Sequence, residues 1–157
     1  MNITYLDHLP KVPKEVLDDT DTILASRHSN GPIRDFYFVK GLNTNLDQWI
    51  LANVIPLLPD YKFGYIRQYQ VIKNGMPIHK DINRTIAYNY LIETGGDNIN
   101  TNVFDEGRQL IESECITTHR WHSIQVDKFH NVTNLQENSV RIAITLSPVG
   151  SKLRTLT

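Results

Sequence analysis

The sequence predicts a mainly β protein, a sandwich or barrel with helices packed on one face. Two observations carry that prediction. From Tyr61 onward the chain breaks into many short alternating or β-branched segments separated by polar turns, after one clear helical stretch. Two of those segments, residues 84–93 and 139–147, are apolar on one side and small or polar on the other.

The elements follow in chain order. Residues 1 to about 33 are polar and broken by Pro10, Pro13, Gly31 and Pro32, so little regular structure is expected there. Residues 34–40 alternate around Phe36 and Phe38 and read as a strand. Asn43 or Thr44 can cap a helix in which Leu46, Trp49, Ile50 and Val54 share one face; Pro56 and Pro59 mark its end. Residues 61–73 read as a strand with Tyr61, Phe63, Tyr65, Arg67, Tyr69 and Val71 on one face, and Asn74-Gly75 as a turn. Strands are then expected at 76–81, 84–93, 100–105, 109–118, 123–126, 129–133 and 139–147. In 140–147, Val140, Ile142, Ile144 and Leu146 form an apolar face; Arg141, Ala143, Thr145 and Ser147 form the other. Residues 85–92 repeat this, with Ile86, Tyr88, Tyr90 and Ile92 against Thr85, Ala87, Asn89 and Leu91. If the apolar faces pack under the helices, the small faces line a cavity with room for a ligand. The expected organisation is one domain over 1–157, with a supporting segment at 1–60 and a β core at 61–150.

Bulk properties narrow the function classes. A net charge of −1 with no basic cluster gives no reason to expect nucleic acid or an anionic membrane as partner. No apolar run approaches membrane-spanning length. The single cysteine, Cys115, permits no internal disulfide, and the first residues lack the charged and apolar regions of a signal peptide. A cytoplasmic location is therefore expected. The sequons Asn83-Arg84-Thr85 and Asn131-Val132-Thr133 read as chance matches in that setting.

Chemistry concentrates in His79, Asp81, His130 and Arg141. His-x-Asp alone is a weak signal, since six histidines would produce roughly 0.4 such triplets by chance. On an extended segment, however, residues i and i+2 point the same way, so both side chains can reach one ion. Pro77 fixes its own φ and stiffens the approach. The third ligand must come from elsewhere, and His119, His122 and His130 are candidates. His130 is preferred. It lies on a strand joined by a short connector to the strand of Arg141, and the two strands are expected to be antiparallel neighbours. Two imidazoles and one carboxylate make the facial triad of non-haem Fe(II), which leaves the opposite side open. Arg141, with small neighbours on its face, suits a cavity floor, where its planar fork can grip a carboxylate. Arg84, Tyr65, Arg67 and Arg120 read as structural or solvent-facing. The segment 95–98 and the turn at Asn74-Gly75 read as mobile rims, and Trp121 as either lid or core.

The order His-x-Asp, distal His, then a basic residue about ten positions on resembles the Fe(II)- and 2-oxoglutarate-dependent oxygenases. The stretch from His79 through Asp81, Arg84 and Asn89 to Ile92 resembles small, often phage- or bacteria-encoded members near the aspartyl/asparaginyl β-hydroxylase and prolyl-hydroxylase branches. The resemblance covers about residues 61–147. It implies a double-stranded β-helix, or cupin-like jelly roll, with supporting helices. It implies Fe(II) on His79, Asp81 and His130, 2-oxoglutarate paired with Arg141, O2 as co-reactant, and release of succinate and CO2. The implied substrate is an amino acid, peptide or small metabolite, and the implied compartment is the host cytoplasm if the chain is phage-encoded. Many members place Ser or Thr two residues after the Arg; here that position is Ala143. Asn89, Thr145 and Tyr69, with Thr85, are the residues expected to supply the missing contact. The rival expectation is a cupin-like metal-binding module that is inactive or does not use 2-oxoglutarate.

Overall fold

The structure is a computed structural model and describes residues 1–26 and 35–150. Its ten strands are β1 (Ile3–Tyr5), β2 (Phe36–Lys40), β3 (Tyr65–Ile72), β4 (Met76–His79), β5 (Ile86–Thr94), β6 (Asn100–Phe104), β7 (Leu110–Glu114), β8 (Trp121–Gln125), β9 (Phe129–Thr133) and β10 (Arg141–Pro148). Two α-helices, α1 (Thr20–Ala25) and α2 (Thr44–Asn53), lie in the first third of the chain. A six-stranded antiparallel sheet has the order β1-β8-β5-β10-β3-β2, and a four-stranded antiparallel sheet the order β4-β9-β6-β7. Among the described residues no helix is long and apolar enough to cross a membrane.

Helix α2 forms where the periodicity places it. Asn43 caps it by accepting from the Leu46 N–H at 2.7 Å. Leu46, Ile50 and Val54 are fully buried against the outer face of the large sheet, which presents Tyr69, Val71, Ile142, Ile144 and Leu146. Each such side chain contributes about 1.5–3 kcal/mol by leaving water. The inner face of the same sheet turns toward the small sheet. Ala87, Leu91, Ile124 and Ala143 pack there with Val103 of β6, and Ile72 packs with Met76 and Val132. The face assignments expected for 85–92 and 140–147 are those found.

Several expectations need correction. Strand β3 begins at Tyr65 rather than Tyr61, because Gly64 N–H closes a turn on the Tyr61 carbonyl at 2.9 Å. Strand β1 and helix α1 were not expected. Neither is long enough to show a period; β1 exists by pairing with β8 and by Glu112, which accepts the Asn2 and Ile3 N–H groups at 2.8 Å each. Arg34, the expected start of the strand at 34–40, lies outside the described residues. The strands of His130 and Arg141 are not neighbours: β9 belongs to the small sheet and β10 to the large one. The connector between them turns at Asn134 and Asn138, both with positive φ, and carries the chain across the sandwich. Gly95 and Gly96 are packed against that connector. The Gln136 N–H donates to the Gly95 carbonyl at 3.0 Å, and a Cβ on Gly95, at φ +86°, would lie 3.2 Å from the Cβ of Arg141.

Candidate metal centre

The pairing of β4 with β9 sets His79 directly opposite His130. Their rings lie 4.3 Å apart, centre to centre. The chain then leaves the small sheet, and Asp81 anchors by donating its N–H to the Val126 carbonyl at 2.8 Å. This turns the carboxylate back between the two rings. Asp81 Oδ1 lies 3.6 Å from His79 Nε2 and 3.5 Å from His130 Nε2. One ligand atom from each of the three residues fits within 4.8 Å of the others.

Both rings are held the same way. His79 Nδ1 sits 2.7 Å from the Pro77 carbonyl, and His130 Nδ1 2.7 Å from the Lys128 carbonyl. A carbonyl can only accept, so Nδ1 carries the proton, and each Nε2 presents a lone pair to the space before Asp81. Two lone pairs and a carboxylate oxygen converging on one point could hold a divalent cation. The donor set, two imidazoles and one carboxylate on one side, fits Fe(II). The other oxygen of Asp81, Oδ2, is held by Arg84 Nε. Arg84 also donates from its NH1 nitrogen to Ser147 Oγ at 2.7 Å and Thr145 Oγ1 at 3.4 Å, which ties the carboxylate to β10.

Electrostatics follow from these contacts. The Asp81 carboxylate favours the protonated form of His79 and holds it above the usual histidine value, against the effect of burial. Burial pushes Asp81 up, but the neighbouring His79 ring and the charge of Arg84 outweigh it and hold the carboxylate low. His130 is more deeply placed, and burial lowers it.

Behind the triad, a cavity of about 40 Å³ runs between the sheets, past His130 and Thr101 on one wall and Asn89, His122 and Arg141 on the other. That volume is narrow but several times what one water needs. Arg141 is 6% exposed and donates to the Thr94 carbonyl at 3.1 Å and to Thr101 Oγ1 at 3.2 Å. Burial lowers it to about 10. Among the described residues no carboxylate lies within ion-pair distance of it. In front of the triad an open groove of about 430 Å³ is lined by Phe36, Phe38, Met76, Ile82 and Asn83, with His79, Asp81 and Arg84 on its wall. Arg84 thus borders both spaces.

The other expected contacts divide. Asn89 lines the inner cavity. Thr145 is fully buried, and its hydroxyl is already engaged by Arg84. Tyr69 is on the wrong side of the sheet: it packs beneath α2 and its hydroxyl donates to Asp18 at 2.8 Å. Trp121 is core, 1% exposed, with Nε1 donating to the Pro10 carbonyl at 2.9 Å. His119 is exposed at a turn with φ +60°. Arg67 and Arg120 are structural, paired with Asp47 and Asp7. One residue was missed: Arg84 was expected to be structural or solvent-facing, although its spacing of three from Asp81 was the available clue. His122, weighed as a third ligand, lines the inner cavity instead.

No protein-family model matches the chain, and no curated protein does. Solved structures do. A 2OG-Fe(II) oxygenase family oxidoreductase from Burkholderia pseudomallei aligns over 81% of this chain and 75% of its own, at 12% identity and a TM-score of 0.55. A prolyl hydroxylase from Trichoplax adhaerens, in complex with a hypoxia inducible factor peptide fragment, aligns over 78% of this chain at 15% identity and a TM-score of 0.56. This chain spans 65% of the length of that one. An oxalate oxidase aligns over 96% of this chain and 75% of its own, at 11% identity and a TM-score of 0.50.

The fold is the jelly roll. At these identities the likeness is one of fold, and it accords with two facing antiparallel sheets and helices on one side. The double-stranded β-helix expected for the core is therefore found, and β1 and β2 extend its large sheet at both edges.

Proposed function

We propose that the protein is an Fe(II)- and 2-oxoglutarate-dependent oxygenase that hydroxylates an amino-acid, peptide or small-metabolite substrate and releases succinate and CO2. One observation carries the reading: His130 of a three-residue cation site and a buried guanidinium without a carboxylate partner among the described residues line one narrow cavity, with His79 and Asp81 on the groove in front of it. The metal site by itself would suit many reactions. A buried cation facing a cavity adds a demand for an anionic ligand, since an isolated buried charge is costly.

In this reading His79, Asp81 and His130 hold the iron, and Arg141 takes the distal carboxylate of 2-oxoglutarate through its fork. Bound together, iron and cosubstrate supply the oxidising chemistry. The chain supplies placement. The carbonyls of Pro77 and Lys128 keep both imidazoles in the ligating tautomer. Arg84 occupies Asp81 Oδ2, leaving Oδ1 for the metal and limiting the carboxylate to one bond. Ile72, Leu91 and Val132 belong to the cavity's apolar lining, which disfavours water there. Substrate would enter by the outer groove, where Phe36 stacks on His79 at 5.8 Å and His79 and Asp81 line the wall.

Succinate release tests this. Purified protein given Fe(II), 2-oxoglutarate and O2 should form succinate slowly even without substrate. Metal binding with no effect of 2-oxoglutarate would move the assignment to a cupin-like metal protein of another kind.

A further inference from the structure

The two sides of the sandwich end differently. On one side the outermost strands are β1 and β7, and Glu112 of β7 staples them by accepting the Asn2 and Ile3 N–H groups at 2.8 Å each. On the other side β2 and β4 are outermost, and the groove in front of the triad opens between them. Strand β4 is a poor edge for pairing, because Pro77 has no N–H and the ladder is irregular between Met76 and His79. Strand β2 is a good one. The Lys73 N–H donates to the Asp35 carbonyl at 2.7 Å, so Asp35 points its main-chain groups at β3. By the two-residue alternation of an antiparallel ladder, Tyr37 and Val39 do the same. Phe36, Phe38 and Lys40 therefore point their N–H and C=O groups outward, where no strand pairs with them among the described residues.

The side chains of those three residues form a row. Val39 is buried under the helices, so Phe36, Phe38 and Lys40 project to the opposite face, toward the groove. Phe36 stacks on His79 at 5.8 Å, and the Phe38 ring, 38% exposed, lies 5.4 Å from the Arg84 guanidinium. Lys40 is exposed and has no carboxylate within ion-pair distance among the described residues. The row thus runs from an aromatic ring beside a metal ligand to an uncompensated ammonium about 13 Å away. Ile82, 90% exposed, lines the same groove. Open main-chain groups call for another strand, and the lysine sets the charge that strand should carry.

We propose that β2 is a docking edge for an extended acidic peptide, which adds to the large sheet as an antiparallel seventh strand. Main-chain bonds to Phe36, Phe38 and Lys40 supply the affinity, and side chains at alternate positions supply the selectivity. In this register an acidic residue opposite Lys40 precedes the residue opposite Phe36 by four positions. The first meets the ammonium. The second enters the apolar groove beside His79. A basic residue in the first position meets a like charge and is rejected. That the residue opposite Phe36 is the one presented for reaction rests on the oxygenase reading above; the docking itself rests on the strand.

The test is fluorescence anisotropy of a labelled peptide, Thr-Glu-Thr-Val-Thr-Leu-Thr, titrated anaerobically with the Fe(II)-loaded protein. Its Glu, Val and Leu would lie opposite Lys40, Phe38 and Phe36. N-methylation of the Val removes an N–H that faces β2 and should weaken binding about tenfold. N-methylation of the Thr between Val and Leu removes one that faces away and should leave binding unchanged. Lys40→Glu should weaken binding about fivefold and favour the peptide with Lys in place of Glu by a similar factor. Phe38→Pro, which removes an outward N–H and spares the ladder to β3, should weaken binding about tenfold beyond Phe38→Ala, with iron affinity kept in both. No binding, or equal effects of the two N-methylations, would overturn the proposal; succinate formed from 2-oxoglutarate in the same preparation would leave the oxygenase reading standing. Peptide binding without succinate formation would overturn that reading and leave the docking edge.

Discussion

The two faces of the six-stranded sheet are made by alternate residues of the same strands and have opposite characters. On the helix side Tyr69 donates to Asp18 at 2.8 Å, Tyr65 to the Pro59 carbonyl at 2.5 Å, Trp121 to the Pro10 carbonyl at 2.9 Å, and Tyr90 accepts from Val12 at 3.3 Å. On the cavity side Asn89 and His122 keep unpaired atoms and Arg141 has no carboxylate partner among the described residues. A face built for stability satisfies itself. A face built for a ligand leaves groups that only the ligand completes, and the stability forgone there has to come from the other side.

The sharpest way to break this contrast lies at the cavity mouth. Asp81→Ala should abolish iron binding and turnover while the fold is kept, because the side chain serves the cation and Arg84 but no core. Calorimetry with Fe(II) and circular dichroism would check both halves; full turnover in this variant would remove the triad. Trp121→Ala should do the reverse, costing about 3–5 kcal/mol in urea unfolding while the residual folded protein still binds iron. Arg141→Met should raise the 2-oxoglutarate requirement about a hundredfold, an effect of about 2.7 kcal/mol, yet leave the melting temperature level or higher. An unchanged requirement would place the anchor elsewhere. Tyr69→Phe is the mild control: about 1 kcal/mol of stability for the lost hydrogen bond, and no change in 2-oxoglutarate affinity.

Alkaline pH should act on the helix side alone. Burial, aided for Tyr69 by the Asp18 contact, raises Tyr65, Tyr69, Tyr88 and Tyr90 above the free tyrosine value of 10.0. The unfolded chain then loses protons before the folded one does. Stability from these groups is complete below pH 10 and falls as pH rises past it. Unfolding midpoints measured from pH 8 to 11 should drop beyond 10, and by less in Tyr69→Phe.

Much of this contrast was legible in the amino-acid order. The apolar row Ile142, Ile144, Leu146 and the small row Arg141, Ala143, Thr145 name their faces, as do the rows of residues 86–92. His79, Asp81 and His130 were legible because a strand's period of two aims side chains alike. What was hidden depends on register. Tyr69 pairs with Ile144 and so takes the helix side, while Gln70 pairs with Ala143 and takes the cavity side. Nothing local to residues 65–72 distinguishes those alternatives. The assignment of β9 and β10 to different sheets was hidden too, because a short polar connector suits a hairpin and a sheet crossing equally. His130 and Arg141 are brought to one cavity by facing across it, not by lying side by side. Arg84 and His122 acquire their roles only once three strands are in place.

In the proposed reading the two walls of the cavity grip one molecule, the metal on one side and a carboxylate on the other. Anaerobic titration of the metal-free protein with Fe(II) and then 2-oxoglutarate, followed in the visible spectrum, tests it most directly. A weak charge-transfer band that needs both components, and is absent in His79→Ala, is the predicted result. Confirmed iron binding with no band on adding 2-oxoglutarate would rule out that grip.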